Sequence, residues 1–203
     1  MDIKQLGKLV EQAIDVEPPT EVRAACGGGA GYSSYYHLVY LLVQHMAPCV
    51  VVELGVAYGK FLRCAALATI GYGNAVVGID TVRYPHIDAI LAAYEHVTFI
   101  NAPSVPPPAY VPSEINILHI DSLHSYAHAK GEFEAYKDLL ADGAVVMFDD
   151  LHAGTDTVLR YFEELPYPKI QDDRLHPANV HNPCGYGVMV YEKDFQDETF
   201  IPS

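Results

Sequence analysis

Two kinds of hydrophobic pattern alternate along the chain. Ile3, Leu6, Leu9, Val10, Ala13 and Ile14 recur at helical spacing, so residues 2–16 read as an amphipathic helix. Glu17-Pro-Pro-Thr breaks it. A glycine-rich stretch, Cys26 to Tyr32, then leads into a helix over 33–46 that Ser33 or Ser34 can cap. From there the apolar residues gather into short runs: Val50–Leu54, Ala75–Ile79, Val97–Asn101, Ile115–Ile120 and Ala144–Phe148. Runs that are apolar at nearly every position are strands buried on both faces, as in a parallel sheet covered by helices. Helical segments are expected between them at 61–70, 87–96, 126–140 and 155–165, with Asp142-Gly143 as the turn after the third of these. Pro103 to Pro112 carries five prolines and reads as an irregular loop. Two further strands are expected in the tail, at 169–175 and 185–191. Strands alternating with helices predict an α/β fold with a doubly wound, mostly parallel sheet.

Ligands of open α/β sheets lie beyond the carboxyl ends of the strands. The strand ends here carry Glu53 and Gly55, then Asp80, Asn101, Asp121 and the pair Asp149-Asp150. The turn Gly55-Val-Ala-Tyr-Gly59 opens a helix, which lets a nucleotide-like ligand lie against bare backbone. Asp80, at the tip of the second strand, is positioned to accept hydrogen bonds from ribose hydroxyls. Asp121, Asp149 and Asp150 would repel one another at a common edge unless a cation neutralised them. Oxygen donors of this kind suit Mg²⁺, Ca²⁺ or Mn²⁺ rather than zinc. Aspartates at strand ends also cap the helices that follow, and this alternative stays open for Asp149 and Asp150.

Composition narrows the partners. The 203 residues suffice for one domain, and half of them are apolar, which excludes a disordered chain. A net charge of −14 opposes nucleic acid and anionic membranes and favours a small neutral or cationic partner. Cys26, Cys49, Cys64 and Cys184 show no paired spacing and are expected to be reduced and structural. No run approaches transmembrane length and the first residues lack a signal-peptide core, so a cytoplasmic location is expected. Residues 1–32 are expected to form a helix and a glycine-rich lid loop, and residues 33–203 the ligand-binding domain.

The order Glu53-x-Gly55-x-x-x-Gly59, followed by Asp80, resembles motif I and the second-strand acid of the class I S-adenosylmethionine (SAM) methyltransferases. The run Asn116-Ile-Leu-His-Ile-Asp-Ser-Leu-His-Ser-Tyr126, then Gly143-Ala-Val-Val-Met-Phe-Asp-Asp150, is similar to the metal-dependent O-methyltransferases. Within these it is nearest the macrocin O-methyltransferase type, and more distantly catechol O-methyltransferase. The resemblance covers about residues 33 to 191. It implies a Rossmann-like fold with seven strands and helices on both faces, and SAM and Mg²⁺, or another divalent cation, as cofactors. A small hydroxylated acceptor is implied, and a homo-oligomer is possible in such a family. Glu53, Gly55, Tyr58, Gly59, Asp80, Asn101 and Asp121 would contact the cofactor, with Ser104 and Tyr126 as further contacts. Asp121, Asp149 and Asp150 would bind the metal. Asp121 and His124 would be catalytic, His124 as general base, with His152 in reserve. The Gly27–Tyr32 loop would be a lid.

Some positions depart from that pattern. Where relatives often have a serine near the methionine carboxylate this chain has Phe61, and Lys60 is the alternative contact. Ser122 and Leu123 stand between Asp121 and His124, where relatives often read Asp-Gly-x-His. His119, in mid-strand, is expected to be a hydrogen-bonded core residue. Three other classes remain in view: a protein that binds SAM or a nucleotide without turnover, an NAD-dependent oxidoreductase, and a metal-dependent hydrolase. The missing third glycine argues against the oxidoreductase.

Overall fold

The computed structural model describes residues 1–26, 32–177 and 184–195. Apart from Tyr32, the expected lid Gly27–Tyr32 lies outside the described residues. Seven strands form one sheet: β1 (Val50–Leu54), β2 (Ala75–Asp80), β3 (Val97–Asn101), β4 (Ile115–Ile120), β5 (Leu140–Phe148), β6 (Lys169–Gln171) and β7 (Gly187–Tyr191). Their order is β3-β2-β1-β4-β5-β7-β6. The first five strands in that order run parallel, and β7 is antiparallel to both β5 and β6. The expected α/β architecture is the one observed.

The doubly apolar strands put alternate residues into different cores. Val51, Val145 and Met147 enter one core with α1 (Ile3–Asp15), α3 (Ser34–Met46), α4 (Lys60–Ala68) and α5 (Pro85–Ala93). Val52, Val146 and Phe148 enter the other, beneath α6 (Tyr126–Tyr136) and α7 (Val158–Glu164). Leu6, Leu9 and Val10 of α1 share the first core with Val188 and Val190 of β7. The first helix is therefore built into the same folded unit as the sheet. No described helix is long and apolar enough to cross a membrane.

Three local expectations differ. A short helix, α2 (Thr20–Ala25), follows the double proline; only Val22 of it is buried, so it carries no periodic signal. Asp142-Gly143 is not a turn ahead of β5 but a kink inside it. Gly143 takes φ 72° and the β4–β5 register shifts between Ile115 and Ile117, while Leu140 already pairs with Ile115. Helix α6 correspondingly ends at Tyr136, and one tight turn at 137–139 delivers Leu140 to the sheet.

Candidate active site

The carboxyl ends of β1, β2, β4 and β5 are tied together by backbone bonds. Gly55 N–H donates to the Ile79 carbonyl (2.9 Å), Asp121 N–H to Leu54 (2.8 Å) and Asp149 N–H to Ile120 (3.1 Å). Gly55 has φ 86°, in the region that favours glycine, and the backbone of residues 121 and 122 passes directly against it. Gly59 caps α4 at φ 69°, and a Cβ there would lie 2.6 Å from Ile90 Cδ1. Both glycines of the motif are thus demanded by tertiary contacts as well as by the turn.

Asp80 closes the same turn. Its Oδ2 accepts the amides of Val56 and Ala57, both at 2.9 Å, and its Oδ1 that of Val82 at 2.8 Å. Asp80 also lines a cavity of about 320 Å³ with Gly55, Ile79, Ser104, Asp121 and His128. This size suits a nucleoside-like ligand. Asn101 is exposed and braces the Asp80 carbonyl through its side-chain amide (2.9 Å); the cavity wall is made instead by the residues after it, Ala102 to Val105. Tyr126, expected near the cofactor, is turned to α7, where its hydroxyl donates to Glu164 (2.6 Å).

A second cavity of about 170 Å³ is lined by Tyr35, Tyr36, Glu53, Tyr58, Lys60, Phe61 and Asp121, among others. Asp121 belongs to both cavities and marks their junction. Tyr58 is 72% exposed and stacks with Tyr84 and His86 at the rim. Glu53 is buried and its Oε2 has no hydrogen-bond partner; burial first, then the Asp121 charge, push its carboxyl well above the usual range. His119 is fully buried against Phe61, with ring centroids 4.0 Å apart, and neither ring nitrogen is hydrogen-bonded. The expected hydrogen bond is absent, although Glu53 Oε1 lies 3.5 Å from Nδ1. Burial lowers its pKa to about 4.

Asp121, Asp149 and Asp150 do meet at this rim, interleaved with histidines. His124 Nε2 lies 3.1 Å from Asp121 Oδ1, and its Nδ1 lies 2.9 Å from Asp150 Oδ2. Burial disfavours the imidazolium, but the bonds to Asp121 and Asp150 outweigh it and push His124 up to about 10. His176 Nδ1 sits 2.5 Å from Asp149 Oδ1. Burial opposes protonation of His176 as well, and the Asp149 bond again wins, leaving its pKa raised. His152 is directed away, to Asp173 at 3.0 and 3.1 Å. Burial, then the Asp149 charge, raise the Asp121 carboxyl. Adjacent carboxylates held by imidazolium groups have the charge balance that a divalent cation would meet, so the residues fit such an ion.

His176 and Cys184 at this rim, and Tyr35 and Tyr36 at the second cavity, were not anticipated from sequence. His176 and Cys184 lie in the irregular stretch between β6 and β7, where no periodicity marks a contact. Cys184 is buried and free of any disulfide, as expected, and it also reaches the rim.

Residues 52–151 match the family described as "Methyltransferase domain". That span, just under half of the chain, is similar to a methyltransferase domain, and the seven-stranded sheet around it has the Rossmann-like fold of the SAM methyltransferases. Solved structures share its fold. Cofactor-bound Rv0187 from MTB is 18% identical, with 94% of this chain and 91% of that chain covered at a TM-score of 0.60. The O-methyltransferase TomG from Streptomyces achromogenes, in complex with SAM, is 16% identical over 95% of this chain and 99% of that one, TM-score 0.60. An rRNA methylase from Streptococcus thermophilus is 18% identical over 77% and 95%, TM-score 0.57. No curated protein matches the sequence. The matched span runs from within β1 to just past Asp150, so it contains the glycine turn, Asp80 and the three aspartates of the rim.

Proposed function

We propose that the protein is a SAM-dependent O-methyltransferase acting on a small hydroxylated molecule, with a divalent cation at the rim where Asp121, Asp149 and Asp150 meet. The observation that carries this reading is the position of Asp121, shared by a nucleoside-sized cavity and a smaller one and in contact with His124. The reading gives the larger cavity to the adenosine end of SAM and the smaller one to its methionine end. Glu53, Gly55, Tyr58, Gly59, Asp80 and Asn101 would shape the cofactor site: the glycines by admitting backbone, Asp80 by closing the turn, and Asn101 by bracing Asp80. O-methyltransferase chemistry in TomG supports the acceptor class, and the −14 charge supports an acceptor that is not nucleic acid.

SAM supplies a methyl group already activated by the sulfonium, and a divalent ion at the rim would acidify and orient the acceptor hydroxyl. The chain must hold that oxygen near the junction, exclude water and receive its proton. His124 is the proposed base. Its two ring nitrogens face Asp121 and Asp150, which favours the imidazolium, so acting as base requires it to give up one of these carboxylates. His152, already bonded to Asp173, is the reserve.

Thermal shift with SAM, S-adenosylhomocysteine, NAD and divalent ions tests the cofactor. SAM at a hundredfold its dissociation constant should add ~2.7 kcal/mol of stability. Stabilisation by NAD and not by SAM would overturn the reading in favour of an oxidoreductase. SAM binding with no S-adenosylhomocysteine formed on a panel of catechol, sugar and phenol acceptors would favour a binding protein.

A further inference from the structure

The rim contains donors that an all-oxygen site does not need. Asp150, His176 and Cys184 each offer one ligand atom, and these atoms lie within 4.8 Å of one another. Backbone bonds between three segments bring them together: His152 N–H to the Cys184 carbonyl (2.9 Å), Gly185 N–H to His176 (3.0 Å) and Leu151 N–H to Gly185 (3.2 Å). Gly185 takes φ 98°, and a Cβ on it would lie 2.3 Å from His152 Cδ2. The chain can therefore make this crossing only with glycine, and the crossing carries Cys184 in beside Asp150. Asp149, through its 2.5 Å contact with His176 Nδ1, fixes the direction of the imidazole. The same Nδ1 lies 3.8 Å from Asp150 Oδ1, so the imidazole and the carboxylate face each other across the site.

Asp149 and Asp150 are buried, at 4% and 6% exposed, and Asp121 adds a third carboxyl beside them. The ring nitrogens of His124 and His176 reach these carboxylates. A buried carboxylate, an imidazole and a thiol side by side form a set that a dication can hold by displacing protons.

Donor type then selects the ion. Mg²⁺ demands near-octahedral oxygen and gives up its waters reluctantly, whereas thiolate and imidazole favour zinc-like and cobalt-like ions. We propose that the cation of this site is a first-row transition ion of the zinc or cobalt type, held by Asp150, His176 and Cys184, rather than Mg²⁺. Its binding expels the thiol proton of Cys184 to solvent, together with any proton on the coordinating imidazole nitrogen. The ion's catalytic role rests on the methyl-transfer reading; its binding does not.

The test uses the full chain, stripped with a chelator and titrated with Co²⁺. One equivalent should produce a thiolate-to-cobalt charge-transfer band in the near ultraviolet. Zn²⁺ should bleach the band, and Mg²⁺ in large excess should not. Cys184→Ser should abolish the band while SAM calorimetry and far-ultraviolet circular dichroism show the fold intact. His176→Gln should weaken Co²⁺ binding at least about tenfold. No band in the wild-type protein, bleaching by Mg²⁺, or a band that survives Cys184→Ser would overturn the proposal. Should Cys184→Ser fail to fold, the wild-type metal competition and His176→Gln decide alone. A protein with the cobalt band but no SAM binding would sink the methyltransferase reading and leave the metal site standing.

Discussion

The carbonyl oxygen of Asp121 occupies the space that a side chain at residue 55 would need: a Cβ built on Gly55 lies 2.1 Å from it. The end of β4 therefore closes over the end of β1, and the Asp121 N–H completes the closure by bonding Leu54 at 2.8 Å. This contact sets the floor where the two cavities join, so the geometry of the site depends on a missing methyl group.

Gly55→Ala combines that clash with an unfavourable positive φ. It is expected to lose about 2 kcal/mol or more of stability, and SAM affinity with it. Urea denaturation and calorimetry measure the two losses. An alanine variant with wild-type stability and SAM affinity would show that the β1–β4 closure is not required.

Asp80 secures the glycine turn through three backbone amides, so Asp80→Ala leaves Val56, Ala57 and Val82 without their acceptor. A loss of about 1–3 kcal/mol is expected, with SAM affinity weakened further. Asp80→Asn keeps one acceptor oxygen and should fall between the two. If Asp80 served ribose alone, the alanine variant would lose affinity but keep its melting temperature.

Glu132, fully buried on α6, accepts from Ser122 Oγ at 2.6 Å and lies 3.3 Å from His128 Nε2. Burial raises its pKa, and the bonds from Ser104, Ser122 and His128 oppose this only in part. A carboxyl whose folded pKa lies above its unfolded one costs nothing at low pH, where both states are protonated. The cost appears above about pH 4 and grows until the folded pKa is passed. Glu132→Gln should therefore match the wild-type protein near pH 4 and gain on it as pH rises towards about 8. Denaturation midpoints across that range report the difference, and parallel curves for the two proteins would contradict it.

Phe61 lines the second cavity, and its ring stacks on the buried His119 with centroids 4.0 Å apart. Phe61→Ala should cost about 3–5 kcal/mol and leave a cavity beside an imidazole that has no hydrogen-bond partner. Phe61→Leu should recover most of the loss, as measured by thermal melting. Equal losses in both variants would mean that the stacking, rather than the filled volume, matters.

Much of this was readable along the chain. Four of the parallel strands announced themselves because they are apolar on both faces, as covered strands must be; β3, at the sheet edge, is only partly buried. Their ends then gave the order in which Glu53, Asp80, Asp121, Asp149 and Asp150 would appear at one edge, since a parallel sheet brings all its carboxyl ends to the same side. The Gly55–Gly59 spacing was legible because backbone conformation leaves its trace in residue type.

Contacts between segments that share no period were not legible. Nothing local marks His176 or Cys184 as neighbours of Asp150; the crossing at Gly185 joins them. Nor does sequence show that His124 would lie between two carboxylates, that Asp80 would bond the turn it follows, or that Gly143 would kink a strand rather than precede it. Periodicity reports which face of an element is buried, a property of a few consecutive residues. Which donors converge at a site depends on the packing of whole elements, and only the tertiary structure decides it.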